Sequence, residues 1–214
     1  MTNTSVLYKQ NYVDKDFERL ELFVLLKKRY GIESALYPGS YIHITPSFVF
    51  PLTVYADTDK RAKRFFEDSR TLEFVEQKRC YDGKPTIRFH PQDYTEDLPE
   101  EPGSFDLLIS QWAGFVSLAC KPYLKPGGLL LVNNSHGDAS LASIDEDYRL
   151  IAAVSMRGGK YRLSETDLEG YFVPKTDVEI TPEYLFKLKR GIGYKKTAWA
   201  YVFRLGIDFL KSRR

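Results

Sequence analysis

Cysteine is scarce in this chain of 214 residues: Cys80 and Cys120 are the only two. Neither they nor the three histidines, His43, His90 and His136, have metal-ligand spacing, so the sequence offers no zinc site and no disulfide framework. That usage fits a reducing cytoplasm. An excess of charge is also missing. Lys and Arg number 31 against 29 Asp and Glu, a formal charge of +2, so bulk electrostatics give nucleic acid no support. The basic residues are uneven, however: Lys187, Lys189, Arg190, Lys195, Lys196 and the Lys211–Arg214 tail crowd the C-terminal part and leave an anionic partner open. No window supplies the ~20 apolar residues of a membrane span, and Met1–Val13 lacks the apolar core of a signal peptide. The expectation is a soluble cytoplasmic protein without a membrane partner. Repeats and low-complexity linkers are absent too, so one domain over residues 1–214 is the default.

What is present alternates between buried-type strands and helices. Asp16–Tyr30 reads as an amphipathic helix closed by Gly31, with residues 1–30 forming an N-terminal helical extension. Strands follow at Ser34–Tyr37, Leu52–Ala56 and Pro85–Phe89, with a helix at Asp59–Asp68. Phe105–Asn134 is the most informative stretch: an apolar strand (Leu107, Leu108, Ile109), an apolar helix, a stop at Leu124-Lys125-Pro126-Gly127-Gly128, and a second strand, Leu129–Val132. Pro126 cannot continue a helix, and strands without polar alternation belong to a parallel sheet covered on both faces. Ala139–Val154 reads as a helix through the 3, 4, 3 spacing of Leu141, Ile144, Tyr148 and Ile151. Residues 155–177 read as an insertion or lid, Val178–Ile180 as a brief strand, and Thr181-Pro182 as a helix start. Lys196–Leu205 is the last strand, and 206–214 a basic tail. The order predicts an α/β doubly wound, mostly parallel seven-stranded sheet with helices on both faces and the last strand antiparallel.

The Phe105-Asp106 strand and Leu-Lys-Pro-Gly-Gly turn resemble the later half of class I S-adenosylmethionine-dependent methyltransferases, which would make the fold Rossmann-like. In such sheets the ligand sits beyond the carboxyl ends of the strands. The resemblance implies cofactor contacts at Tyr37, Gly39, Ser40 and Tyr41 after the first strand, where the family usually has an acidic residue and Gly-x-Gly-x-Gly; this chain keeps one glycine there. Asp57, with Thr58, follows the second buried strand, where a carboxylate can accept from both ribose hydroxyls. Asp93 and Tyr94 match the adenine loop by position, and Ser110 and Gln111 the loop after the fourth strand.

For the acceptor, Trp112, Asn133 and Asn134 are the candidate contacts, and His136 with Asp138 the candidate base and its orienting carboxylate. After Ser110 the chain lacks the Pro-Pro pair of enzymes that methylate nucleic-acid amines. Other chemistries are less well served: Gly191–Thr197 lacks Walker spacing, no Gly-x-Ser-x-Gly elbow exists, and Pro38-Gly39-Ser40-Tyr41 does not supply a nicotinamide fingerprint. The resemblance therefore implies methyl transfer from S-adenosylmethionine, without metal, to a small molecule or protein side chain. The alternative is a methyltransferase-like binding or regulatory protein that no longer catalyses, which Tyr41 in a glycine position favours.

Overall fold

The computed structural model describes residues 4–208; Lys211, Arg213 and Arg214 of the basic tail lie outside them. The chain divides into two compact units, Met1–Leu98 and Pro99–Arg214. Among the described residues there are eight strands, all in an α/β arrangement.

In the first unit, α1 (Thr4–Tyr8) runs into a single π-helical turn at Lys9–Val13, followed by α2 (Leu20–Tyr30) and β1 (Ser34–Pro38). The α2 helix buries Leu22, Phe23 and Leu26, a stripe at helical spacing. A 3-10 turn (Thr45–Phe48) leads to β2 (Leu52–Ala56), then α3 (Lys60–Glu67), α4 (Ser69–Lys78) and β3 (Thr86–His90). Asp59 and Asp68 cap the last two helices by accepting from the N–H groups of Arg61 and Arg70. Sequence reading misses α4 because only Thr71 and Val75 are buried along it, too few for a period. The strands are parallel in the order β3-β2-β1, with Tyr37 beside Tyr55 and Tyr55 beside Phe89. The N-terminal segment is part of this unit's core: Tyr8 and Tyr12 are buried, and the Tyr8 hydroxyl lies 2.5 Å from Thr45 Oγ1.

In the second unit, β4 (Phe105–Ser110) leads through a short α5 (Val116–Ala119) to β5 (Leu124–Val132), so the Leu-Lys-Pro-Gly-Gly segment opens the strand. Next come α6 (Asp138–Ile144), β6 (Tyr148–Arg157), β7 (Lys160–Ser164), α7 (Pro182–Leu188) and β8 (Ala200–Leu205). The helix expected through Val154 ends ten residues earlier, at Ile144. Asp145 accepts the N–H of Asp147 in a local turn, an alternative to helix that aspartate offers the backbone. The following Leu-Ile-Ala-Ala-Val run then pairs with β8 as β6. Gly158 and Gly159, both at positive φ, turn β6 back into β7, which occupies part of the expected insertion. Val178–Ile180 is not a strand. The sheet order is β4-β5-β8-β6-β7, with β4 and β5 parallel and β8 antiparallel to both its neighbours. Parallel strands joined through helices, with an antiparallel last strand, make this a Rossmann-like α/β fold.

Candidate functional site

In the first unit, two strand ends come together through one carboxylate. Gly39 leaves β1 with its N–H on the carbonyl of Ala56 at 2.8 Å. Tyr41 then turns into the left-handed region at φ 51 and donates its N–H to Asp57 Oδ2 at 2.7 Å. Asp57 Oδ1 accepts the N–H of Asp59 at 2.8 Å. A carboxylate offers about four acceptor positions, so these two bonds leave capacity for two further donors. The Tyr41 ring lies under the Arg61 guanidinium, 5.1 Å from its centroid. That contact associates the ring with α3.

The remaining first-unit candidates divide by burial. Tyr37 and Ser40 are buried, and the Tyr37 ring meets His43 edge-on at 5.7 Å. His43 is itself buried among Tyr12, Phe23 and Tyr37. Burial, reinforced by Arg19's charge, holds its imidazole well below the ordinary range. It is a neutral core residue whose Nε2 meets the Glu18 carbonyl at 2.9 Å. Thr58 is exposed. Asp93 is exposed and accepts from the N–H and hydroxyl of Thr95 at 2.9 and 2.8 Å, closing a local turn. Tyr94 is half-buried.

In the second unit, Asp138 opens α6 and is fully enclosed. The Ser110 hydroxyl donates to its Oδ2, and Ser117 donates to the same carboxylate through its hydroxyl (2.5 Å) and its N–H (3.1 Å). Burial outweighs these bonds and lifts the carboxyl to about 6. The expected partnership with His136 is not formed: His136 is exposed, and its Nδ1 meets Ser135 Oγ at 2.9 Å. Asp138 instead ties the end of β4 to α5 and α6. The structure therefore does not bring the expected base, His136, and its orienting carboxylate, Asp138, together.

The loop after β5 forms one wall of a cavity of about 270 Å³, lined by Trp112, Asn133, Asn134, Ser135, Thr197, Ala198, Trp199 and Tyr201. Trp112 stands at φ 62 and remains 41% exposed; its indole meets Trp199 edge-on at 5.8 Å. Asn133 is only 5% exposed. Its Oδ1 accepts from the Ser135 N–H and hydroxyl, while its buried Nδ2 has no protein partner. A buried donor without a partner is costly. Asn134 is held apart from this, with Oδ1 accepting from Ser140 N–H and hydroxyl. Gln111 is buried beside Trp112.

Sequence reasoning names Trp112, Asn133 and Asn134 for this wall but misses Thr197, Trp199 and Tyr201. The signal was available in the topology. An antiparallel last strand starts where its neighbour ends, and Tyr201 pairs with Val132, which places the approach to β8 beside the loop after β5.

No protein-family model matches the chain, and no characterised protein matches it in sequence. Solved structures similar to it include a Klebsiella pneumoniae protein described as an O-methyltransferase, with 15% identity over 68% of this chain and 76% of that one, at a TM-score of 0.48. Another is a methyltransferase from Geobacter sulfurreducens, at 14% identity, 77% and 90% coverage, and a TM-score of 0.46. A third is an O-methyltransferase from Bacillus cereus in complex with SAH, at 13% identity, 76% and 89% coverage, and a TM-score of 0.46. Likeness at this level carries no activity from those proteins to this chain.

Among the described residues, no group of three or more His, Cys, Asp or Glu side chains could hold a metal ion, and no helix is long and apolar enough to cross a membrane.

Proposed function

We propose that this protein is an S-adenosylmethionine-dependent methyltransferase acting on a small molecule or a protein side chain. The observation that carries the reading is Asp57. It stands directly after β2, is braced by the N–H groups of Tyr41 and Asp59, and keeps acceptor capacity for a vicinal diol. A ribose presents that pair of hydroxyls, so the residues fit the group. When bound, the sulfonium would supply the methyl group for direct transfer to an acceptor nucleophile.

The chain's own residues then have two tasks. In the first unit, Asp57 holds the ribose end. In the second, the loops after β4 and β5, braced by Asp138 through Ser110 and Ser117, keep the cavity walls fixed. No titratable base with a perturbed pKa lines that cavity apart from Tyr201, whose burial pushes its phenol up. Rate acceleration in this reading comes from proximity and orientation, which alone can supply ~7–11 kcal/mol.

A second reading, ligand binding without transfer, is favoured by Tyr41. A side chain at φ 51 occupies a place where the resembling family has glycine. Calorimetric titration with S-adenosylmethionine and S-adenosylhomocysteine separates the two, using wild type, Asp57→Ala and Tyr41→Gly. Micromolar binding that Asp57→Ala abolishes supports the cofactor site. No heat from wild type, with binding recovered in Tyr41→Gly, would mean that the tyrosine has closed it. Silence from both proteins at high ligand concentration would remove S-adenosylmethionine from the account.

A further inference from the structure

We propose that the hairpin formed by β6 and β7 is a binding site for the phosphoryl group of a small phosphate ester. The site lies in the second unit, shares no lining residue with the cavity at Trp112, and is independent of the cofactor reading.

Gly158 and Gly159 form a two-residue turn at positive φ, which sets Arg157 directly opposite Lys160 and Ser155 opposite Arg162. Opposed residues of an antiparallel pair share a face, as do residues two apart along a strand. Ser155, Arg157, Lys160 and Arg162 therefore stand together on one face of the hairpin. Tyr161 alternates to the other, and its ring meets Trp199 edge-on at 5.1 Å. The hairpin is held from behind while its cations stay exposed.

A cavity of about 400 Å³ opens there, lined by Ser155, Met156, Arg157, Lys160 and Arg162. That volume falls within the ~300–1,000 Å³ of small-molecule sites. No Asp or Glu lines it, and no ion pair among the described residues engages any of the three cations. Like charges directly opposite on paired strands destabilise the pair, so the arrangement costs stability until an anion offsets it. Charge on an edge strand does guard against self-pairing, and β7 is at the sheet edge. That accounts for Lys160 and Arg162. It does not account for Arg157, which stands on the inner strand β6, opposite Lys160.

The ligand class follows from the donors. A guanidinium is a planar fork that binds two phosphate oxygens at once, and two of them stand here. Lys160 adds a third charge and Ser155 a hydroxyl donor. A phosphomonoester brings close to two negative charges and three acceptor oxygens at neutral pH, which matches three cations better than a single carboxylate does. Nucleic acid fits less well. Single strands need aromatic platforms as well as charge, and Tyr161, between Lys160 and Arg162, is turned to Trp199 instead.

The test follows the amide cross-peaks of Gly158 and Gly159 in a nitrogen-15 spectrum during titration at pH 7.5 and constant physiological ionic strength, where diffuse attraction is screened. The probes are methyl phosphate and acetate, neither of which has a ring to enter the aromatic cavity. Methyl phosphate should shift both amides and bind about tenfold more tightly than acetate. Arg157→Gln and Arg162→Gln alter exposed side chains, so the fold survives, and each should weaken methyl phosphate about tenfold. Lys187→Gln removes a cation of the same unit outside the cleft and should leave binding unchanged.

Unmoved glycine amides, equal binding of methyl phosphate and acetate, or wild-type affinity in both arginine variants would each overturn the proposal. A loss in Lys187→Gln equal to that in the arginine variants would do so too, since the attraction would then belong to the unit's net charge. Two further arms separate the sources of phosphate: an oligothymidylate, and phosphatidylcholine vesicles with and without phosphatidic acid. Binding of either through Arg157 and Arg162, with methyl phosphate silent, would replace the small ester by nucleic acid or by a lipid surface. None of these probes involves the sulfonium cofactor, so failure here leaves the methyl-transfer reading untouched, and its failure leaves this site standing.

Discussion

The backbone N–H of Tyr41 lies 2.7 Å from Asp57 Oδ2, so the turn after β1 is tied to the end of β2 by a charged acceptor. Hydrogen bonds to charged groups contribute about 1.5–3 kcal/mol. Asp57→Ala removes this bond and that to Asp59, and should lower unfolding stability in urea by about 2 kcal/mol. Tyr41→Gly keeps the N–H, relieves a left-handed residue worth about 1 kcal/mol, and adds unfolded-state entropy of similar size. Its stability should stay within about 0.5 kcal/mol of wild type, making it a clean reporter of what the ring does to ligand binding.

Asp138 makes the second unit sensitive to pH. Burial raises its carboxyl from 3.8 to about 6, so the folded state binds this proton more tightly than the unfolded chain. The sign follows from linkage: the contribution is complete below about pH 4, and it is lost as pH rises through 6. The shift corresponds to at most about 3 kcal/mol. Asp138→Asn keeps an oxygen for Ser117 and cannot ionise. Urea unfolding at pH 4.5 and pH 7 should show wild type losing its advantage over the variant by about 2 kcal/mol at the higher pH. Equal differences at both values would show that the carboxyl is not buried in this way.

Gly191 holds the cavity loop by contact. A Cβ there would sit 2.1 Å from the carbonyl oxygen of Asn134, a backbone atom with no flexible end to move aside. Gly191→Ala should therefore cost about 1–3 kcal/mol by overpacking and displace the loop carrying Asn133. A drop in thermal midpoint together with movement of the Trp199 indole cross-peak is expected; a wild-type spectrum would mean the 190–194 segment is readily moved.

The sequence is most legible where buried strands leave no alternative. β1, β2 and β4 are almost continuous apolar runs, buried along nearly their whole lengths, and the reading places each within a residue or two. It fails at Tyr148–Arg157, where Leu141, Ile144, Tyr148 and Ile151 keep helical spacing across a turn set by Asp145. Periodicity cannot see a side-chain hydrogen bond, and pairing with β8 decides the matter. Position after a strand names Asp57, Trp112 and Asn133, and the last two line one cavity. It cannot say that Asp138 would be enclosed by Ser110 and Ser117 while His136 stays exposed, because that depends on contacts 21 to 28 residues away along the chain.

Lys121 offers a test of how the second unit is braced behind its cavity. The residue is 4% exposed, yet its ammonium reaches Asp145 at 2.6 Å and Asp147 at 2.8 Å, fixing the turn between α6 and β6 to the segment before β5. Its two partners differ: the Asp145 side chain is 20% exposed and that of Asp147 43%, so water screens the second pair more. Breaking a buried pair costs about 3–5 kcal/mol, and solvent access to the aspartates reduces this to about 2 kcal/mol for Lys121→Met. A double-mutant cycle with Asp145→Asn should give a larger coupling energy than one with Asp147→Asn. Equal couplings would mean that the two carboxylates share the ammonium evenly and that burial of Asp145 adds nothing. A stabilised Lys121→Met would mean that desolvation of the lysine exceeds what both aspartates return, so that the bridge fixes the turn's geometry at a net cost.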